Sequence, residues 1–159
     1  MRGTRRLDDQ VAARLRAAGQ RATASRRALV ATLAASRQPL SLPEILERTP
    51  RLPQSSAYRN LLVLEQAQVV RRLAIGQDFA RYELAEDLTE HHHHLICSSC
   101  GRVRDMPTDV RVERVMRSVM TEMPADVFTP QSHRIDVIGM CPDCVRQQAR
   151  GRGARAGSP

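Results

Sequence analysis

Residues 41–84 read SLPEILERTPRLPQSSAYRNLLVLEQAQVVRRLAIGQDFARYEL, and the order of elements in this stretch decides the architecture of the first half of the chain. Ser41-Leu42-Pro43-Glu44 is a capping box with Pro in the first turn, so a short helix follows through Ile45 and Leu46. Pro50 and Pro53 break it. Gln54–Gln66 is again helical in pattern, with Ala57, Leu61 and Leu64 on one stripe and Tyr58 and Leu62 beside it. A short helix, a turn and a longer helix make a helix-turn-helix. Residues 69–73 and 79–84 then read as two strands around Gly76-Gln77-Asp78. A β-hairpin placed after a recognition helix is the order of a winged helix.

Upstream, Val11, Ala12, Leu15 and Ala18 recur at helical spacing over residues 8–18, and Gly19 is a natural stop. Thr23 is placed to cap a second helix whose inner face carries Leu29, Val30 and Leu33, ending before Gln38-Pro39. Charge gives this half a partner. Residues 1–82 carry 15 Arg against 6 acidic residues, residues 83–145 carry 6 Arg against 11 acids, and residues 146–159 add four Arg to bring the chain to +8. A basic first half displaces condensed counterions from a polyanion such as DNA, and an acidic second half does not. With 159 residues, 42% of them hydrophobic, the chain has room for one or two small globular domains. Its longest apolar run, residues 28–35, is far short of the roughly 20 residues that cross a bilayer. No charged-then-apolar leader opens the sequence, so a cytoplasmic protein without a membrane partner is expected.

Downstream, residues 85–90 form an acidic linker. Strands are expected at residues 92–97, 102–106 and 132–140, with a helix near 110–123 whose stripe of Val112, Val115, Met116, Val119, Met120 and Met123 is core or subunit interface. The tail from Arg146, rich in Gly, Ala and Arg, is expected to be disordered and to add nonspecific DNA affinity. Chemistry concentrates in this half. Cys97-Ser98-Ser99-Cys100 and Cys141-Pro142-Asp143-Cys144 are two knuckles, and four thiolates from two such turns close a tetrahedron around one zinc ion at about 2.3 Å. Disulfides or redox thiols are the weaker alternative, because cytosolic thiols are kept reduced. All five His of the chain also lie here, as the run His91-His92-His93-His94 and as His133. On a strand, side chains alternate faces, so His91 and His93 form one pair and His92 and His94 another. Each pair chelates a divalent ion if further ligands arrive from elsewhere.

These residues carry a family resemblance. The chain resembles the ferric-uptake-regulator (Fur) superfamily of metal-responsive repressors in residues 19–23 (Gly-Gln-Arg-Ala-Thr), 56–61 (Ser-Ala-Tyr-Arg-Asn-Leu), 91–101 (the His run joined to Cys-x-x-Cys-Gly) and 141–144, across residues 8–145 as a whole. The resemblance implies an α+β chain: a winged helix-turn-helix DNA-binding domain at residues 1–84, a hinge at 85–90, and an α/β dimerisation domain with a three-stranded sheet and a structural zinc site at 91–145. It implies a homodimer on a palindromic operator in double-stranded DNA. By position, a regulatory metal at the hinge falls to Glu83, His92, His94 and Asp105, with Glu86 or Asp87 as replacements for Glu83. A second regulatory metal falls to His91, His93, Glu113 and His133. Arg21, Ser56, Tyr58 and Arg59 fall on the DNA-contact positions, with a core role the alternative for Tyr58 and a solvated surface role that for Arg21.

Three departures bear on the metal. Pro39 stands where many iron-type members have a His, and His93 replaces an Asp common in them, which makes the second site richer in nitrogen and suits zinc or nickel. Ala85 stands where zinc-responsive members often supply a Cys. The reading therefore favours zinc over iron as regulatory metal and a zinc-responsive repressor over an iron-responsive or peroxide-sensing one. A zinc hydrolase or deaminase is the remote alternative. It is disfavoured because no His-Glu-x-x-His, and no His-x-Glu ahead of Pro-Cys-x-x-Cys, brings a general base with its ligands. No small-molecule substrate is expected.

Overall fold

The computed structural model describes residues 2–36, 38–75, 79–89 and 91–155. The chain divides into two compact units, Met1–Glu90 and His91–Pro159.

In the first unit, α1 (Arg2–Ala17) leads through Gly19, whose φ of 69° is the left-handed conformation glycine adopts without a Cβ penalty, to α2 (Ala24–Ala34). α1 starts earlier than its apolar spacing announces, because its first turns are polar and carry no stripe to read. The Thr23 side chain accepts from the Arg26 backbone N–H, as a cap should. The two-residue strand β1 (Leu40–Ser41) runs into α3 (Leu42–Arg48), whose capping box is complete: Ser41 Oγ accepts from the Glu44 N–H, and the Glu44 carboxylate accepts from the Ser41 N–H at 2.7 Å. α4 (Gln54–Gln66) follows, then β2 (Val70–Ile75) and β3 (Phe79–Leu84). These form an antiparallel sheet in the order β1-β3-β2. The hairpin turn Gly76-Gln77-Asp78 lies outside the described residues.

Helices and sheet enclose an aliphatic core: Leu15, Leu29, Leu40, Ile45, Leu61, Leu64 and Val69 are all fully buried. The apolar faces named from periodicity in α2 and α4 are the ones that meet in it.

The second unit is built differently. β4 (His93–Cys97) is the middle strand of a sheet in the order β5-β4-β6, antiparallel to β5 (Val103–Met106) and parallel to β6 (Asp136–Gly139). Helix α5 (Val110–Glu122) is capped by Asp109, whose carboxylate accepts from the Arg111 N–H at 2.8 Å. It buries none of its residues, and Val115 and Val119 are 61% and 44% exposed. Among the described residues of this unit, the buried side chains are His93, His94, Cys97, Val103 and Cys144. Four of those five are metal-ligand types, so its interior is mostly a set of sites and scarcely a hydrophobic core.

The chain end differs from the expectation of a disordered tail. α6 (Pro142–Arg155) runs through most of it, starting on Pro142, which favours a first helical position, and anchored by the buried Cys144. Ala, Arg and Gln are good helix formers, and they outweigh the two interrupting Gly residues that a composition reading weighs as disorder. β6 is also shorter than the strand expected over residues 132–140. Among the described residues, no helix is long and apolar enough to cross a membrane.

Candidate metal centres and DNA-contact surface

The tight turn between β4 and β5 presents Cys97 and Cys100, and the first turn of α6 presents Cys141 and Cys144. Their four sulfurs lie within 4.8 Å of one another. Sulfurs held tetrahedrally at about 2.3 Å from one centre stand about 3.8 Å apart, and Cys100 Sγ and Cys141 Sγ are separated by 3.8 Å. All four are free thiols, well beyond the roughly 2.05 Å of a disulfide. The Cys141 backbone N–H donates to Cys97 Sγ at 3.3 Å and, with the N–H of Cys100, holds the Cys97 thiol down to about 6. Cys144 accepts a lowering hydrogen bond from Ser99, yet the neighbouring thiols and burial push it up to about 12. Four thiols packed together cannot all ionise without a cation among them. A divalent ion removes that conflict, so the donor set fits a structural metal.

The second cluster joins β4 to α5. His91, His93, Glu113 and His133 each place a ligand atom within 4.8 Å of the others. His93 Nε2 donates to Glu113 Oε1 at 2.6 Å, and His91 Nε2 and His133 Nε2 lie 3.4 and 3.2 Å from Glu113 Oε2. The hydrogen bond from His93, then the charges of His91 and His133, hold the Glu113 carboxyl below the usual carboxylate range against the effect of burial. His133 Nε2, though near that carboxylate, is buried and makes no hydrogen bond, as is true of His93 Nδ1. Buried polar atoms without partners are costly, and three imidazoles around one carboxylate are a nitrogen-rich set that fits a divalent ion.

His92 and His94 turn to the other face of β4, their rings 5.0 Å apart. On that face the sheet register lines up Asp105 of β5, His94 and Asp136 of β6 in one row. Glu83 belongs to the first unit. It is 8% exposed and accepts from Arg71 Nε and Nη2 at 2.9 and 2.5 Å across the β2–β3 pair. Its neighbours in the linker are also engaged: Glu86 lies 3.7 Å from Arg71 Nη1, and Asp87 pairs with Arg14.

The exposed edge of α4 carries Tyr58, 47% exposed, and Arg59, whose Nε donates to the Ser55 carbonyl at 3.2 Å. A core role for Tyr58 is thereby ruled out. Ser56 is turned toward Asn60, accepting from its Nδ2 through both the carbonyl and Oγ. Arg21 is exposed in the loop before α2.

A profile of the Ferric uptake regulator family matches residues 17–137, most of the chain and parts of both units. The chain belongs to the ferric uptake regulator family. It is similar to the peroxide-responsive repressor PerR of Staphylococcus epidermidis, with 30% identity over 147 residues that cover 89% of this chain and 91% of that protein. Among solved structures it is similar to the ferric uptake regulator Fur of Helicobacter pylori, in which three functional metal binding sites are found. The TM-score is 0.67 and identity 25%, over 89% of this chain and 93% of that one. The fold is also that of the Pseudomonas aeruginosa ferric uptake regulator with manganese, at TM-score 0.63 and 22% identity over 80% and 95% of the two chains. These relatives are transcription regulators and not enzymes, and membership makes this chain a metal-responsive transcriptional regulator.

Within this ferric uptake regulator fold, the residues named from sequence fall, in the second unit, into the four-Cys cluster, the cluster around Glu113 and the face of β4 with His92, His94 and Asp105. In the first unit Ser56, Tyr58 and Arg59 lie on α4, Arg21 in the loop before α2, and Glu83 is buried on β3. Two residues escaped that reading. Asp136 lies against His94, Nδ1 to Oδ1 at 3.3 Å, and a single Asp in a strand forms no motif. Arg26 joins α2 to α4 through Asn60 Oδ1 at 3.1 Å and holds the loop through the Arg21 carbonyl at 2.6 Å and Gln20 Oε1 at 3.0 Å. The only sequence signal for it is its place one turn after the Thr23 cap. Arg59→Ala should weaken specific operator binding at least tenfold, about 1.4 kcal/mol, with metal content unchanged, as read by fluorescence anisotropy and metal analysis. An Arg on a phosphate should also lower the salt slope by about one unit.

Proposed function

We propose that the chain is a metal-dependent transcriptional repressor that binds a palindromic operator as a homodimer and responds to zinc. The observation that carries the zinc reading is the His91-His93-His133-Glu113 cluster, whose three imidazoles and one carboxylate match the ligand preferences of zinc. The four-Cys cluster holds a structural zinc, a site suited to the reducing cytoplasm. Arg21, Ser56, Tyr58 and Arg59 serve as DNA contacts, with Arg59 reaching phosphate or a base edge from the recognition helix α4. The domains run as read from sequence, residues 1–84 for DNA, 85–90 as hinge and 91–145 for dimerisation, with α6 extending the last. Support for the dimer comes from the apolar residues that α5 and β6 leave exposed, among them Val110, Val115, Val119 and Ile138.

The regulatory ion at the hinge falls to His92, His94 and Asp105, with Glu83 from the DNA-binding unit. When bound, such an ion favours one geometry of the two units by its differential affinity for them. The residues' own part is to bring ligands from different elements to one point. Glu83 pairs with Arg71 Nη2 at 2.5 Å.

A second reading is favoured by a specific observation. The row Asp105-His94-Asp136 is rich in oxygen, which suits iron or manganese, and the Staphylococcus epidermidis relative is a peroxide-responsive repressor. One experiment separates the two. Protein loaded with zinc or, without oxygen, with ferrous ion is tested for operator binding before and after dilute hydrogen peroxide, and intact mass is then measured. The zinc reading expects tight binding with zinc that peroxide leaves intact. Operator binding only with iron, lost together with a gain of one oxygen atom on His92 or His94, supports the peroxide sensor instead.

A further inference from the structure

We propose that Arg26 is a positioning residue for operator recognition: its guanidinium ties the loop before α2 to the recognition helix α4, so that Arg21 and the contact residues of α4 reach DNA in one fixed geometry. The proposal rests on the reading of Arg21, Ser56, Tyr58 and Arg59 as DNA contacts.

Two segments distant in sequence have to meet the duplex together, and local structure alone does little to hold either. α4 starts on Pro53 with no side-chain hydrogen bond at its cap, so the turn that carries Ser55 and Ser56 lacks that anchor. The loop at residues 20–23 has no regular structure beyond the turn at the left-handed Gly19.

Arg26, in the first turn of α2, links the two. Its backbone N–H goes to the Thr23 cap, and its three guanidinium nitrogens each donate to a different oxygen. Nε donates to Asn60 Oδ1 at 3.1 Å, Nη1 to the Arg21 carbonyl at 2.6 Å and Nη2 to Gln20 Oε1 at 3.0 Å. The Arg21 carbonyl also accepts from the Thr23 N–H at 3.0 Å, which fixes the backbone of a residue whose side chain is exposed. On α4, Asn60 Nδ2 donates to the Ser56 carbonyl at 2.8 Å and to Ser56 Oγ at 3.3 Å. Oδ1 thus faces a donor and Nδ2 faces two acceptors, so the amide has one consistent orientation. A continuous chain of hydrogen bonds runs from Arg21 through Arg26 and Asn60 to Ser56, from one contact position to another.

The chemistry calls for an arginine. Its donors form a rigid planar fork that fixes three acceptors relative to one another, whereas a lysine ammonium on a flexible stem does not. All three acceptors are neutral oxygens, so the bonds orient the fork without cancelling its charge. A phosphate contact by Arg26 itself is therefore the rival role.

The test uses the zinc-retaining full chain and two duplexes, titrated by fluorescence anisotropy across a salt series. One duplex is selected by the parent from a random pool with zinc or manganese, whichever gives the tighter binding, and the other is an unrelated sequence of equal length. Arg26→Ala should weaken binding to the selected duplex about tenfold while leaving the unrelated duplex and the salt slope unchanged, because positioning decides how contacts fit and not how many phosphates are neutralised. Arg26→Lys, which keeps the charge, should recover little of the loss. Asn60→Ala should reproduce most of it, and the double variant should lose at least about twofold less than the product of the single losses. In the parent the Arg26 Nε–H should give a protected proton–nitrogen NMR resonance, which Asn60→Ala opens to exchange. Full recovery by Arg26→Lys, a salt slope lower by about one unit in Arg26→Ala, or strictly additive losses would overturn the proposal. Equal losses on both duplexes with a lowered melting temperature would do so as well, since they mean only that fewer chains are folded. Failure of the underlying reading looks different: Arg21→Ala and Arg59→Ala would then bind the selected duplex as the parent does.

Discussion

Cys97→Ser is expected to strip the chain of the structural metal that its four sulfurs fit and to unfold the second unit while the first remains folded. The reason lies in what each unit buries. Met1–Glu90 has a core of fully buried Leu, Ile and Val side chains from four helices and a sheet. Among the described residues, His91–Pro159 buries chiefly His93, His94, Cys97 and Cys144, and α5 leaves Val112, Val115 and Val119 exposed with Met116 and Met120 half-buried. Structural zinc at four protein ligands contributes about 10–16 kcal/mol, comparable to the whole stability of a typical domain at about 5–15 kcal/mol. Loss of one thiolate also leaves three others crowded together, with Cys141 no longer donating its N–H to a thiolate at position 97. Metal analysis after mild chelation should give about one zinc per chain for the parent and none for the variant. Amide exchange should show protection lost throughout β4, β5, β6 and α6 but retained in α2 and α4. A metal-free chain with a protected second unit would show that its interior is held by something other than the four sulfurs.

His94→Ala is expected to remove the response of operator binding to metal. Allosteric coupling between a regulatory ion and a second ligand is typically 1–3 kcal/mol, or 5–150-fold in affinity. The variant should reduce the enhancement by added metal to less than about twofold while leaving the weak metal-free affinity unchanged. His92→Ala should act in the same way, because the two rings lie together on one strand face. His91→Ala and His133→Ala should reduce the enhancement less, since those rings belong to the cluster around Glu113 on the opposite face. The readout is the ratio of operator dissociation constants with and without metal. His94 is buried, so His94→Gln accompanies His94→Ala to fill the space, and both must retain the structural zinc. Equal losses in all four variants would mean that the two faces of β4 do not act separately.

The parts of this molecule that were legible in the sequence are those in which a local rule and the tertiary packing ask for the same residue. The capping box at Ser41 and Glu44, the Thr23 cap and the stripe of α4 each need only a few neighbouring residues, and each stands in the structure as read. The His run is similar: period-two alternation sorts it into two pairs before any partner is known, and Glu113 and His133 then close around one of them. The rest depended on pairing between distant strands. Asp136 is an ordinary residue until the parallel register of β4 and β6 sets it beside His94. The two-residue strand β1 has no pattern of its own and exists because Leu40 and Ser41 pair with Tyr82 and Arg81 of β3. α6 was obscured by composition, since Gly and Arg suggest a solvated tail whereas Cys144, through its place in the thiol cluster, anchors the helix start.

Metal-dependent repression is tested most directly by the operator affinity of the zinc-retaining full chain with and without added regulatory metal. The affinity is measured on a duplex selected from a random pool in the presence of that metal. Binding should be at least fivefold tighter with metal, an enhancement abolished in His94→Ala, and weakened throughout in Arg59→Ala. Equal affinity with and without every one of zinc, iron, manganese and nickel, in protein that keeps its structural zinc, would contradict metal-dependent repression.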